Sequence, residues 1–211
     1  MTPDMTSHAL WTHDSPLLLA SASLARRTLL SNAGLSVEHV AADIDERAIE
    51  SELVKSGSGP EAVACALSDA KALAVSAGHV GRLVLGCDQT LVCDGEAFHK
   101  PRDRAGARDQ VARLAGCEHV LTSGFSLVRD GLVLSRGSDT ARLRMRPLSD
   151  ALIERYLDAA GAAAFMSVGA YQLEKLGVHL FDKVDGNHFT VLGLPLFGVL
   201  QALREIGAVA A

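Results

Sequence analysis

Asp88 stands in RLVLGCDQTLVCDG, residues 82–95, where an apolar run (Leu83, Val84, Leu85) meets a carboxylate before a second run (Leu91, Val92) ends at Asp94-Gly95. An acid at a strand end can orient a water molecule or ligate a cation. DIDER, residues 43–47, puts Asp43, Asp45 and Glu46 at the end of another expected strand, the oxygen-rich composition that suits a hard divalent cation. In LLLASASLARRTLL, residues 17–30, a strand leads through Ser21 and Ser23 into a helix. The free N–H groups of such a helix start attract an anion, and Arg26, one turn in, can fork onto the same anion.

Lys71 on a long expected helix and Lys100 before Pro101 add isolated cations, and GAYQLEKLG, residues 169–177, brings Gln172 and Glu174. Each feature alone has a plainer reading: a capped helix, solvated acids, a lysine stem lying over the core, a loop lysine before proline, an edge-strand surface. As a set they are the parts needed to hold a metal-bound polyphosphate and activate water. Other catalytic patterns are missing: there is no Walker loop, H-E-x-x-H, G-x-S-x-G or G-x-G-x-x-G, and the eight histidines are scattered singly.

The elements that must position these residues alternate strand and helix. Residues 17–20 and 37–42 read as strands, with a helix over 24–33 capped by Ser23 and stopped by Gly34. Pro60 fits the first turn of a helix reaching about Ala77. Asp94-Gly95 and Asp130-Gly131 are hairpin signals, the second between two long strands. A helix over 104–115 stops at Gly116, Ser149 caps another to about Ala160, a strand is expected over 178–184, and Pro195 opens a last helix ending near Gly207. The hairpins make part of the sheet antiparallel, so the expectation is a mixed α/β fold and not a purely parallel Rossmann sheet.

At 211 residues, 48% hydrophobic and 21% charged, the chain suits one large domain or a two-lobed one. A net charge of -5 and a pI near 5.9 set it against long nucleic acids. Cys65, Cys87, Cys93 and Cys117 form no C-x-x-C pair and match no zinc spacing, which favours reduced thiols in the cytoplasm. PLLLASASLARR, residues 16–27, imitates a signal peptide but has its acids before and its arginines after the apolar run, the reverse of the usual order. No apolar run approaches the roughly 20 residues of a membrane span.

The ordered motifs LASASLARRTLL, DIDE, AxxKA around Lys71, GCDQT, HKP at 99–101, GAYQ and VLGLPL at 191–196 resemble the Maf family of nucleoside triphosphate pyrophosphatases. The resemblance runs from about Leu17 to Gly207, which implies an N-terminal extension over 1–15 and a single domain over 16–211. It implies an α/β fold with an elongated curved sheet flanked by helices, two lobes and a cleft, related to the inosine triphosphatase type. The implied reaction is hydrolysis of a nucleoside triphosphate to monophosphate and pyrophosphate with Mg2+ or Mn2+, in the cytoplasm, by a homodimer.

Carried over by position, Ser21 and Arg26 match the phosphate-binding motif, with Ser23 beside them, and Glu46, Lys71 and Lys100 match the family's acid and two lysines. Asp88 matches the proton acceptor; Asp88 and Glu46 share the metal and base roles. The family often has Pro-Arg where this chain has Leu24-Ala25, leaving Arg27 as the candidate replacement cation, and His99 stands where glycine usually precedes the lysine. The thymidine and uridine branch carries Thr after the acid and Gln in the late loop; Gln89 and Glu174 occupy those positions here and resemble the 7-methyl-GTP branch. A carboxylate can accept from guanine N1–H and its amine and favours a cationic methylated base. Gln172 would share the face of Glu174 if the segment is a strand, restoring an amide. Two rival activities stay open: a nucleotide-binding regulator of cell division with weak catalysis, and a phosphohydrolase releasing single phosphates.

Overall fold

A computed structural model of the protein describes residues 9–210. Of the expected N-terminal extension, residues 1–8 lie outside the described residues. Trp11 forms an isolated antiparallel bridge with Val209, and the Thr12 N–H donates to the Ala208 carbonyl at 3.1 Å.

Seven strands and seven α-helices alternate among the described residues: β1 (Leu17–Leu19), α1 (Leu24–Asn32), β2 (Val37–His39), α2 (Glu46–Lys55), α3 (Pro60–Ser76), β3 (Val84–Cys93), β4 (Glu96–Phe98), α4 (Arg104–Leu114), β5 (Glu118–Arg129), β6 (Leu132–Met145), α5 (Asp150–Ala160), β7 (Phe181–Asp185), α6 (His188–Val191) and α7 (Leu196–Glu205). The sheet runs β2-β1-β3-β5-β6-β7, with β4 added to β3. β1 pairs in parallel with both β2 and β3, whereas β3–β4 and β6–β7 are antiparallel, so the sheet is mixed as expected. Both Asp-Gly turns have the left-handed backbone of a type I′ hairpin, with φ of 49° and 81° at Asp94 and Gly95 and 51° and 76° at Asp130 and Gly131.

By contact the chain forms two compact units: residues up to 89 with 123–139 and 193 onward, and residues 90–122 with 140–192. The long strands β3, β5 and β6 contribute to both. The first unit packs Leu18, Ala20, Ala72, Val75, Val84 and Val128 into a core cluster. The second has its own, built on Leu91, Val111, Leu114, Leu143, Met145 and Leu157.

Three sequence expectations change. β3 is one continuous strand through Asp88, paired with β1 at Val84 and Leu85 and with β4 at Leu91 to Cys93, with β5 as a further neighbour. Asp88 is therefore interior to a strand and not at its end. β2 stops at His39, so DIDER is not a strand end: Asp45 caps a helix the pattern did not announce, accepting the Ala48 N–H at 3.0 Å, and Glu46 is its first residue. Residues 176–180 form a 3-10 turn and only Phe181–Asp185 is strand.

Candidate active site

Two glycines bring α3 onto the sheet. A Cβ on Gly86 of β3 would meet the Ser68 carbonyl oxygen at 2.1 Å and the Ala72 nitrogen at 2.8 Å; one on Gly124 of β5 would meet the Ala64 carbonyl oxygen at 2.7 Å. Backbone thus lies directly on backbone, with Ala64 and Ala72 adding little bulk. Lys71, on the helix face turned to the sheet, is not a snorkelling surface lysine. It is 8% exposed, and its Nζ donates to Asp88 Oδ1, two residues along β3 from Gly86, and to Glu46 Oε1 at 2.9 Å. Asp88 is equally buried, at 8%.

One ammonium between two carboxylates leaves the trio with a net charge of minus one. Each carboxylate has a second oxygen, so the donor set is all hard oxygen with surplus negative charge, and it fits a divalent cation of the magnesium class. The structure brings together Glu46, Lys71 and Asp88 from three elements, α2, α3 and β3.

Arg26 builds the neighbouring half. Ser23 caps α1, its Oγ accepting the Arg26 N–H at 3.3 Å, and Ser21 Oγ accepts the Ser23 N–H at 3.2 Å. The Arg26 guanidinium donates Nε to the Gly193 carbonyl at 2.7 Å and Nη1 to Ser21 Oγ at 3.2 Å and to the Cys87 carbonyl at 2.7 Å. Three of its five N–H donors fix the plane, and the pair on Nη2 makes no hydrogen bond among the described residues. Gly193 has φ of 90°, and a Cβ there would press on the guanidinium at 3.3 Å, so this residue of VLGLPL both receives and makes room for Arg26. Since Cys87 precedes Asp88, the Arg26 guanidinium and the Lys71 ammonium are bonded to adjacent residues of one strand. Burial pushes the Cys87 thiol up to about 12, which makes it a poor nucleophile.

Arg27 does not join this group; its Nη1 contacts the imidazole of His39 at 3.1 Å. Gln89, on the strand face opposite Asp88, donates Nε2 to Ser123 Oγ at 3.1 Å.

In the second unit, Lys100 is exposed on the loop after β4. Gln172 and Glu174 are not on a strand, so they do not share a strand face. Left-handed backbone at Gly169 and Ala170, φ 75° and 59°, breaks the extended run, and the Lys175 N–H closes a turn onto the Gln172 carbonyl at 3.1 Å. Gln172 lines a cavity of about 140 Å3 with Tyr156, Ala163, Lys175 and Leu176, and its Oε1 is buried without a partner. Glu174 is exposed, yet close enough that its charge, after burial, helps push the Tyr156 hydroxyl up to about 12.

Sequence reasoning missed the Gly193 carbonyl and Gly86 as positioning elements; the motif VLGLPL and the GCDQT glycine were their only trace. It also left Cys93 and Cys117 apart, although the fold brings them together.

The family model described as Maf-like protein matches residues 16–206. A 7-methyl-GTP pyrophosphatase of Mesorhizobium japonicum is 51% identical over 193 residues, covering 92% of this chain and 97% of that protein. A nucleoside triphosphate pyrophosphatase of Rhodopseudomonas palustris is 51% identical over 197 residues, 93% and 96% of the two chains. A 7-methyl-GTP pyrophosphatase of Rhizobium etli is 49% identical, covering 92% and 97%.

Proposed function

The chain belongs to the Maf-like protein family, and from that premise we propose that it hydrolyses nucleoside triphosphates to the monophosphate and pyrophosphate, with 7-methyl-GTP as the favoured substrate. The observation that carries the reaction is the junction at Cys87 and Asp88, where the guanidinium of Arg26 and the Lys71–carboxylate trio hold adjacent residues of β3.

A triphosphate carries about four negative charges near neutral pH, and pyrophosphate leaves only when the charge gathering on it is offset. Arg26 offers that charge a fixed pair of N–H donors. Asp88 orients the attacking water and accepts its proton, with the Lys71 ammonium holding the carboxylate in place. Glu46 and Asp88 would hold a divalent cation, which when bound would supply further charge neutralisation and make water a better nucleophile. The α3 backbone pressed against Gly86 keeps this set rigid, which is what positioning contributes to rate.

Base preference rests on Glu174, whose exposed carboxylate can accept from guanine N1–H and the exocyclic amine and favours a methylated, cationic ring. The relatives named for 7-methyl-GTP support this choice. Free thiols at all four cysteines suit a reducing compartment and support a cytoplasmic setting.

The test is pyrophosphate release from 7-methyl-GTP, GTP, UTP and dTTP with Mg2+ or Mn2+ and with EDTA. Asp88→Asn is expected to lower kcat by about 10²–10⁴-fold. Glu174→Gln is expected to shift preference about tenfold toward UTP and dTTP while leaving the metal requirement unchanged. Tight nucleotide binding without release under any metal would leave a binding regulator, and release of single phosphate a different hydrolase.

A further inference from the structure

Cys93 closes β3, Asp94 opens the turn after it, and Cys117 lies just before β5. The two thiols stand 24 positions apart in sequence. In the fold, their sulfur atoms and a carboxylate oxygen of Asp94 all lie within 4.8 Å of one another. We propose that Cys93, Asp94 and Cys117 form a binding site for one thiophilic divalent cation of the zinc class.

A tetrahedral ion bonded at about 2.3 Å to sulfur and about 2.0 Å to oxygen sets its donors roughly 3.5–3.8 Å apart, so groups already within 4.8 Å of one another close by about 1 Å at most to share it. Their backbones are held in place. Cys93 pairs with Glu96 across the hairpin, and Cys117 is fixed by its N–H on the Leu114 carbonyl at 3.0 Å and by the Met145 N–H on its own carbonyl at 3.0 Å. The site is also reachable: Cys93 is buried, but Cys117 is part-exposed and Asp94 is exposed.

The thiols make weak bonds, Cys93 Sγ to the Glu118 carbonyl at 3.6 Å and Cys117 Sγ to the Ala115 carbonyl at 3.7 Å, and they contact each other. Binding exchanges these for two metal–sulfur bonds, and the two S–H protons pass to solvent. Sulfur donors select against magnesium and manganese, so this site and the all-oxygen set of Glu46 and Asp88 take different ions. Three protein ligands leave the fourth tetrahedral position to water. A disulfide would use both sulfurs and give Asp94 no part; the carboxylate as third donor is what favours the ion. Once bound, the cation ties the β3–β4 hairpin to the start of β5 within the second unit.

The test is titration of the reduced, metal-free full chain with cobalt(II) as a coloured zinc surrogate. Expected are a thiolate-to-cobalt charge-transfer absorption saturating at one ion per chain, its displacement by zinc, and its loss in Cys93→Ser and in Cys117→Ser. Asp94→Asn weakens binding about tenfold, and Cys65→Ser leaves it unchanged. The proposal is overturned if the wild-type chain develops no such absorption, if the Cys93→Ser/Cys117→Ser double variant retains it, or if the two cysteines are recovered as a disulfide that takes up no metal.

Discussion

Gly86→Ala probes the device that places Lys71 against Asp88. The new methyl would stand 2.1 Å from the Ser68 carbonyl oxygen and 2.8 Å from the Ala72 nitrogen, and side-chain carbons are not found closer than 3.0 Å to such atoms. Both obstacles are helix backbone, so no rotamer change relieves them; α3 must retreat until 2.1 Å becomes at least 3.0 Å, a displacement close to 1 Å. Overpacking of this kind costs about 1–3 kcal/mol, and backbone against backbone places it at the upper end. For a chain of this length that is a fall in Tm of about 6–12 °C. Lys71 lies between Ser68 and Ala72 on the helix, so it moves away from Asp88 with them. A misplacement near 1 Å in a catalytic group corresponds to a loss of about 10²-fold in kcat/KM. Thermal unfolding and pyrophosphate release measure the two effects on one preparation. Gly78→Ala is the control, since its nearest neighbour is the Val75 carbonyl oxygen at 3.9 Å. Wild-type Tm and activity in Gly86→Ala would refute the account of how the site is held.

Arg26→Lys keeps the charge but removes the fork that reaches Gly193, Ser21 and Cys87, and is expected to raise KM for the triphosphate about tenfold or more in steady-state kinetics. His119 is 1% exposed, and burial lowers its pKa from 6.5 to about 4, so the folded chain keeps it neutral while the unfolded chain protonates it. Its contribution to stability is complete above about pH 6.5 and falls by about 3 kcal/mol as pH drops toward 4, a slope that denaturant titrations should show and that His119→Gln should remove.

How much of this was legible beforehand can be traced residue by residue. The Ser23 and Ser149 caps, the left-handed Asp-Gly turns and the start of α3 at Pro60 follow from local chemistry, because each depends on a side chain bonding within four residues or on a backbone angle that few residue types accept. The ordered motifs, with Arg26, Lys71 and Asp88 among them, likewise stood in the chain before any fold was known. What could not be read locally was distance. Lys71 by itself looks like a surface lysine, and it is buried because two glycines on separate strands admit α3. α2 was hidden because Glu46 to Lys55 is mostly exposed and lacks a buried stripe, so no periodicity announced it. The contact of Arg26 with Gly193 spans 167 residues, and the approach of Cys93 to Cys117 depends on β3 and β5 becoming neighbours. Sequence determined which groups could do the chemistry, since residue type fixes charge, donors and softness. Only tertiary packing decided which of them meet, because proximity between distant segments is set by how whole elements bury their faces.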